Sequence, residues 1–250
     1  MKIVIIGGTG LIGSQVANLL KHDHEVVAAS PHTGVDTLTG EGLDNALQHA
    51  QVVIDVSNSP SFADEPVMHF FKTSTENLMR AAKQAGVQHF IALSVVGTDQ
   101  LQASGYFRAK QAQESLIGAS GIPFTIVRAT QFFEFAGGIV AMSTSGGELR
   151  LSDALIQPIA SADVASFIAK VATESPVNHL LEIGGPEQYT IAEWITQYLV
   201  VSQKAIAVVT DSNAPYSGAI LEKATLTPSH PVYLGSTEYT AWIAQPENRN

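Results

Sequence analysis

Two spacings in this 250-residue chain point to chemistry. The first is Gly7-x-x-Gly10-x-x-Gly13, directly behind the apolar run Lys2-Ile3-Val4-Ile5-Ile6. Glycine permits the backbone angles of a tight turn, lets the chain approach a pyrophosphate and lets a helix pack closely on a strand. A helix beginning at Leu11 then offers free N–H groups and the positive end of its dipole to phosphate oxygens. A dinucleotide site is therefore expected at Gly7, Thr9, Gly10, Leu11, Ile12 and Gly13. The second spacing is Tyr106-Phe107-Arg108-Ala109-Lys110. Four residues apart on a helix, a phenol and an ammonium share a face, and the ammonium would lower the Tyr106 pKa. Such a tyrosine can hand a proton to a carbonyl oxygen while hydride arrives from a nicotinamide. A Tyr–Lys pair at this spacing also arises by chance, so its weight comes from its position. It opens the helix after the strand 89–94, and Ser94 ends that strand on the edge where open α/β sheets hold ligands.

The rest of the pattern supplies elements to position these residues. Apolar runs at 2–6, 25–29, 35–38, 52–56, 89–94, 124–128 and 180–183 read as strands. Between them, 11–20, 42–50, 66–85, 106–119 and 161–173 read as helices, with Pro66 suited to a first turn and Gly86 to a helix end. Thr190-Ile191-Ala192-Glu193 is a capping box that opens one more. Alternation of this kind predicts an α/β fold: a Rossmann-type doubly wound parallel sheet with a small C-terminal substrate cap. Residues 1–250 are expected to form a single domain, with cap segments at about 131–160 and 185–250. Gly137-Gly138 and Gly146-Gly147 bracket a stretch read as mobile.

Composition narrows the function classes. The chain has no cysteine, which excludes disulfides, thiol nucleophiles and Cys-ligated zinc, and fits a reducing compartment. A net charge of −10 with only 13 scattered basic residues argues against nucleic acid as a partner. No apolar stretch reaches membrane-spanning length, and the glycines follow Met1-Lys2 too soon for a signal peptide. His22 and His24 sit in a loop with only Asp23 and Glu25 beside them, and no metal site is read there. The expectation is a soluble cytoplasmic protein acting on a small-molecule substrate, with neither nucleic acid nor membrane as partner.

On the glycine motif, Ser94, Tyr106 and Lys110, the chain resembles the short-chain dehydrogenase/reductase superfamily, in particular its atypical NmrA-like, NAD(P)H-binding branch. Val127-Arg128-Ala129-Thr130 and Ser161-Ala162-Asp163-Val164 extend the resemblance, which covers residues 1–187. It implies that Ser94 hydrogen-bonds the substrate oxygen, that Tyr106 is the acid or base, and that Lys110 holds the nicotinamide ribose and tunes Tyr106. It implies that Asp55, Val56, Ser57 and Asn58 pass along the cofactor. It further implies a homodimer paired through the helices that flank strands 52–56 and 89–94. Phe71 stands where the superfamily often carries a relay asparagine, with Asn77 a turn further on. Many members of this branch have lost the tyrosine and act as redox sensors, whereas this chain keeps it.

The end of the second strand reads Ala29-Ser30-Pro31-His32-Thr33, without the acid that NAD binders place there. Nor is an arginine present to clamp a 2′-phosphate; Ser30, His32 and Thr33 would hydrogen-bond one, which favours NADP over NAD. Phe132, Phe133 and Phe135 form either a substrate wall, suited to a flat apolar acceptor, or the core of the cap. Glu134 reads as a surface carboxylate and Arg128 as a structural donor to neighbouring carbonyls. Together these features predict an NAD(P)H-dependent reductase transferring hydride to an apolar carbonyl, quinone or azo-type acceptor. The rival reading is an NADP(H)-sensing regulator that docks on a protein partner without turnover. An enzyme acting on nucleotide sugars fits less well, because those relatives usually carry a longer C-terminal substrate domain.

Overall fold

The computed structural model describes residues 1–145 and 147–249. Its centre is a seven-stranded sheet in which every neighbouring pair runs parallel. In chain order the elements begin β1 (Lys2–Ile6), α1 (Leu11–Leu20), β2 (Glu25–Ala29), α2 (Leu43–Leu47), β3 (Val52–Asp55), α3 (Asp64–Ala85), β4 (His89–Val95), α4 (Gly105–Ala119) and β5 (Phe124–Ala129). Then come α5 (Ala136–Ser143), β6 (Thr144–Ser145), β7 (Glu148–Leu151), β8 (Leu155–Ile156), α6 (Ser161–Val171) and β9 (Leu180–Gly184). The chain closes with β10 (Tyr189–Thr190), α7 (Ile191–Val201), β11 (Ala207–Thr210), β12 (Pro231–Leu234) and α8 (Tyr239–Ala244). The sheet order is β12-β9-β5-β4-β3-β1-β2. The chain reverses direction across the sheet between β1 and β3, which opens a crevice at the carboxyl ends of those strands.

Both faces are covered at the centre of the sheet, so the inner strands β1 and β3 carry unbroken apolar runs at Ile3–Ile6 and Val52–Ile54. Side chains in β1 alternate between two cores. Ile3 and Ile5 pack with Ile12 and Val16 of α1 and Val164 and Ile168 of α6. Val4 and Ile6 pack on the other side with Leu43 of α2, Leu78 of α3 and Ile117 of α4. Ile3, Val4 and Ile5 lose all solvent exposure, each contributing about 2 kcal/mol of transfer free energy. Gly86 ends α3 in the left-handed region, its N–H reaching the carbonyls of Ala82 and Lys83. No helix among the described residues is long and apolar enough to cross a membrane.

A third core lies outside the sheet. Phe133, Leu149, Ile156, Trp194 and Tyr239 are buried together under α5, α7 and α8. Two small sheets, β11-β7-β6 and β10-β8, frame this cap. The capping box at its edge is complete: the Thr190 N–H donates to Glu193 Oε2 at 2.8 Å and the Glu193 N–H to Thr190 Oγ1 at 3.1 Å.

Three expectations change. The stretch 35–38 is a turn rather than a strand, because Asp36 Oδ1 accepts the N–H groups of Leu38 (2.7 Å) and Thr39 (3.3 Å) and so offers the backbone a local alternative to a sheet ladder. The stretch bracketed by glycine pairs contains α5, which starts before Gly137 and Gly138 and runs through them; Gly146 lies outside the described residues. Finally, the segment 185–250 does not stay in the cap, since β12 returns to the central sheet and pairs with β9.

Candidate active site

The glycine turn sits at the sheet's crossover point. Gly7 leaves β1 with φ +77, and its N–H donates to the Ala29 carbonyl at 2.9 Å, joining the ends of β1 and β2. A side chain on Gly13 would place its Cβ 2.2 Å from the Gly7 carbonyl oxygen. That glycine therefore lets α1 close onto the turn itself rather than onto a strand. Thr9, Gly10 and Leu11 are exposed at the mouth of the turn, while Ile12 is buried beneath it. Gly10 caps α1 without a side-chain bond, and no acid lies in the helix's first turn. The free N–H groups there face no competing carboxylate, which suits a pyrophosphate.

Two further stretches meet this turn. A Cβ on Gly7 would come within 3.0 Å of the Ser57 backbone, so the loop after β3 lies against the glycine loop. Asp55, only 1 % exposed, fixes that loop: Oδ1 accepts from the Ser57 N–H (3.0 Å) and hydroxyl (2.6 Å), and Oδ2 from Gln113 Nε2 (2.9 Å). Burial raises the Asp55 pKa against these hydrogen bonds and the charge of Lys110. Asp55 thus positions its neighbours, leaving Val56 and Ser57 partly exposed and Asn58 exposed. At the end of β2, Ser30 is buried and its hydroxyl finds no partner. An orphaned hydroxyl beside the glycine turn fits a cofactor's adenosine end. Exposed His32 stands next to it, whereas Thr33 Oγ1 is committed to its own turn, accepting from the Ser30 N–H at 2.8 Å.

The expected catalytic trio is not assembled as the sequence implied. Tyr106 packs among Phe62, Phe71 and Phe107, with ring centroids at 5.5, 5.9 and 5.6 Å. Burial, reinforced by Tyr216, raises its pKa rather than lowering it. Lys110 does not tune it. The Lys110 ammonium, buried at 2 % exposure, donates to the Leu93 carbonyl at 2.9 Å and to Gln113 Oε1, and lies 4.5 Å over the Phe71 ring. Its pKa is pushed down to about 8 by burial, against the pull of Asp55 and Glu114. Ser94 is likewise committed: its hydroxyl donates to Glu114 Oε1 at 2.5 Å at 3 % exposure, so it does not point a free donor at a substrate. Phe71, at the relay asparagine's position, lies edge-on to Tyr106, and Asn77 donates to the carbonyls of Thr37 and Leu38.

The aromatic run after β5 divides. Phe133 belongs to the cap core, edge-on to Tyr239 and tilted against Trp242, so it is no substrate wall. Phe132 and Phe135 pair with each other at 5.1 Å, with Phe135 exposed. Glu134 is not a free surface acid, since it accepts from the Ser161 N–H and hydroxyl at the start of α6. Arg128 donates to carboxylates rather than carbonyls, reaching Glu114 and Asp99.

Sequence reasoning missed Gln113 and Glu114, although they lie three and four residues beyond Lys110 on the same helical face. It also passed over Gln131 and Tyr216. The signal for Gln131 was its place just past the carboxyl end of β5; nothing local marked Tyr216, which arrives from 85 positions further along the chain.

Residues 7–175 match the family described as NAD(P)H-binding. A (4-alkanoyl-5-oxo-2,5-dihydrofuran-3-yl)methyl phosphate reductase of Streptomyces griseus is 27% identical over 212 residues, covering 78% of this chain and 72% of that protein. The chloroplastic divinyl chlorophyllide a 8-vinyl-reductase of Cucumis sativus is 29% identical over 226 residues, covering 74% of this chain and 53% of that one. The chain therefore spans about half the length of this second relative. Among solved structures, a dTDP-4-dehydrorhamnose reductase from Clostridium acetobutylicum superimposes with a TM-score of 0.73 over 98% of both chains at 17% identity, a likeness of fold.

Proposed function

This chain belongs to the NAD(P)H-binding family, and from that premise we propose that it is an NADPH-dependent reductase acting on an apolar carbonyl, quinone or azo-type acceptor, with Tyr106 as proton donor. The observation that carries this reading is the Tyr106 phenol itself. It opens the helix behind β4, is walled by three aromatic rings, and makes no hydrogen bond among the described residues. Burial keeps the phenol protonated, which leaves it a hydrogen-bond donor to an acceptor oxygen and a weaker acid than a tyrosine tuned by an ammonium. The Streptomyces griseus and Cucumis sativus relatives bear reductase names, which supports the same class.

When bound, the nicotinamide supplies hydride. Gly7, Thr9, Gly10 and the N–H groups of α1 would hold the pyrophosphate, with Ile12 and Gly13 setting the helix behind it. Ser30 and His32 would meet the ribose 2′-phosphate, and Val56, Ser57 and Asn58 would run along the cofactor. The preference for NADP over NAD rests on the orphaned Ser30 hydroxyl and on the absence of an acid at the end of β2. Lys110 holds the Asp55–Gln113 loop support in place rather than a proton path.

One observation favours the sensor reading. Ser94 and Lys110, two of the three groups that would make the trio, are tied up in buried bonds. NADPH oxidation with quinones, aromatic ketones and azo dyes separates the two readings. A reductase turns over and loses at least about tenfold in kcat on Tyr106→Phe with cofactor affinity intact. Tight NADP(H) binding with no turnover on any acceptor would sink the enzyme reading in favour of the sensor.

A further inference from the structure

Gln131 stands just past the end of β5, on the edge of the sheet where ligands bind. It is 5 % exposed, and neither its Oε1 nor its Nε2 has a hydrogen-bond partner. Its backbone is held firmly: its carbonyl accepts from the Ile159 N–H at 2.9 Å, and the Phe133 N–H donates to the Ile159 carbonyl at 2.9 Å. The preceding Thr130 hydroxyl is fixed to the Gln157 carbonyl at 2.5 Å. A buried primary amide with every bond unmade is costly to the fold, and such groups call for a physical explanation.

Its neighbours supply one. The Tyr216 hydroxyl comes close enough to the Gln131 amide to interact, yet no well-formed hydrogen bond joins them. Tyr216 is presented by a tight hairpin: its N–H donates to the Ala219 carbonyl at 2.8 Å and its carbonyl accepts from the Ala219 N–H at 3.0 Å, with Ser217 and Gly218 both at positive φ. Tyr106 and Tyr216 pack against the same apolar cluster as Phe107 and Leu101. The cations of α4 and β5 are all committed. Arg108 binds Asp64 and the carbonyls of Gln102 and Ala103, Arg128 binds Glu114 and Asp99, and Lys110 binds Leu93 and Gln113.

We propose that Gln131 is the specificity-determining residue of the acceptor site: its amide, beside the Tyr216 hydroxyl, hydrogen-bonds a neutral carbonyl oxygen of a ketone or quinone. The proposal rests on the reductase reading for the identity of its ligand as a substrate. An amide carries both a donor and an acceptor, so it can hold a carbonyl before reduction and a hydroxyl after it. A phosphate or carboxylate would be desolvated there with every cation of α4 and β5 already committed, which disfavours charged acceptors.

The test is binding of menadione, 9,10-phenanthrenequinone and benzil to the full chain saturated with NADP⁺, followed by tryptophan fluorescence. Gln131→Leu is expected to weaken binding by at least about tenfold. It should leave NADPH affinity unchanged and melt no lower than wild type, since an unpartnered amide gives way to an apolar chain of similar size. Tyr216→Phe is expected to weaken binding by a smaller factor. Unchanged affinity in Gln131→Leu, a melting temperature that falls with the affinity, or failure of wild type to bind any of the three compounds would overturn the proposal. Binding that depends on Gln131 without reduction by NADPH would sink the reductase reading alone, whereas reduction indifferent to Gln131→Leu would sink this inference alone.

Discussion

Arg128 and Glu114 form a two-point ion pair inside the molecule, with Nε to Oε1 at 2.9 Å and Nη2 to Oε2 at 2.7 Å, and each side chain is only 7 % exposed. The pair ties the middle of α4 to β5, and Ser94 of β4 adds its hydroxyl to the same Oε1. Ser94 is therefore part of the frame behind Tyr106.

Breaking that frame at one end leaves a charge buried alone. Arg128→Met is expected to cost about 3–5 kcal/mol. Combining it with Glu114→Leu should recover much of the loss, because no unpaired ion then remains. Urea unfolding of the two single variants and the double variant measures the coupling. A double variant as unstable as the sum of the singles would show that the pair does not act as a unit.

Glycines in the turn are not equivalent. An alanine at position 13 meets the Gly7 carbonyl oxygen at 2.2 Å, whereas one at position 10 meets it at 3.3 Å. Gly13→Ala is expected to displace α1, lower the melting temperature and abolish NADPH binding, and Gly10→Ala to lower both far less. Melting temperature and fluorescence titration with NADPH, run on both variants, check the ranking.

Ser30 bears on cofactor choice. Losing one hydrogen bond to a charged phosphate is worth about 1.5–3 kcal/mol, so Ser30→Ala should weaken NADPH binding by at least about tenfold and leave NADH nearly untouched. Equal losses for the two cofactors would remove Ser30 from 2′-phosphate recognition.

Lys110 makes stability depend on alkaline pH. Its pKa falls from 10.5 in the open chain to about 8 in the fold. Between those values the unfolded chain binds more protons, so stability rises with pH across that window. Below pH 8 the full cost of burying the ammonium is present; above about 10.5 it is gone, a difference of about 3 kcal/mol. The stability of wild type relative to Lys110→Met should climb from pH 8 to pH 10.5 in denaturant titrations. A flat difference would show that Lys110 is not desolvated in solution.

Much of the molecule is legible in its chain. The runs at 2–6, 25–29, 52–55, 89–95 and 124–129 are strands, and the glycine spacing marks the crossover turn, because a strand covered on both faces leaves an unbroken apolar run and a strained turn admits only glycine. Local chemistry also determines the helix ends at Gly86 and Thr190. What one dimension does not carry is direction. Lys110 and Tyr106 share a helix, yet the ammonium turns toward Leu93, Gln113 and Phe71, which belong to other elements or to the next turn. Ser94 lies at the carboxyl end of its strand, one residue before the last, but Glu114, twenty residues away, accepts its hydroxyl's hydrogen bond. Gln131 and Tyr216 meet only because the cap folds a distant hairpin over β5. Spacing determines which residues share an element; which partner a polar group finds once water is excluded is decided by the packing of elements remote in sequence.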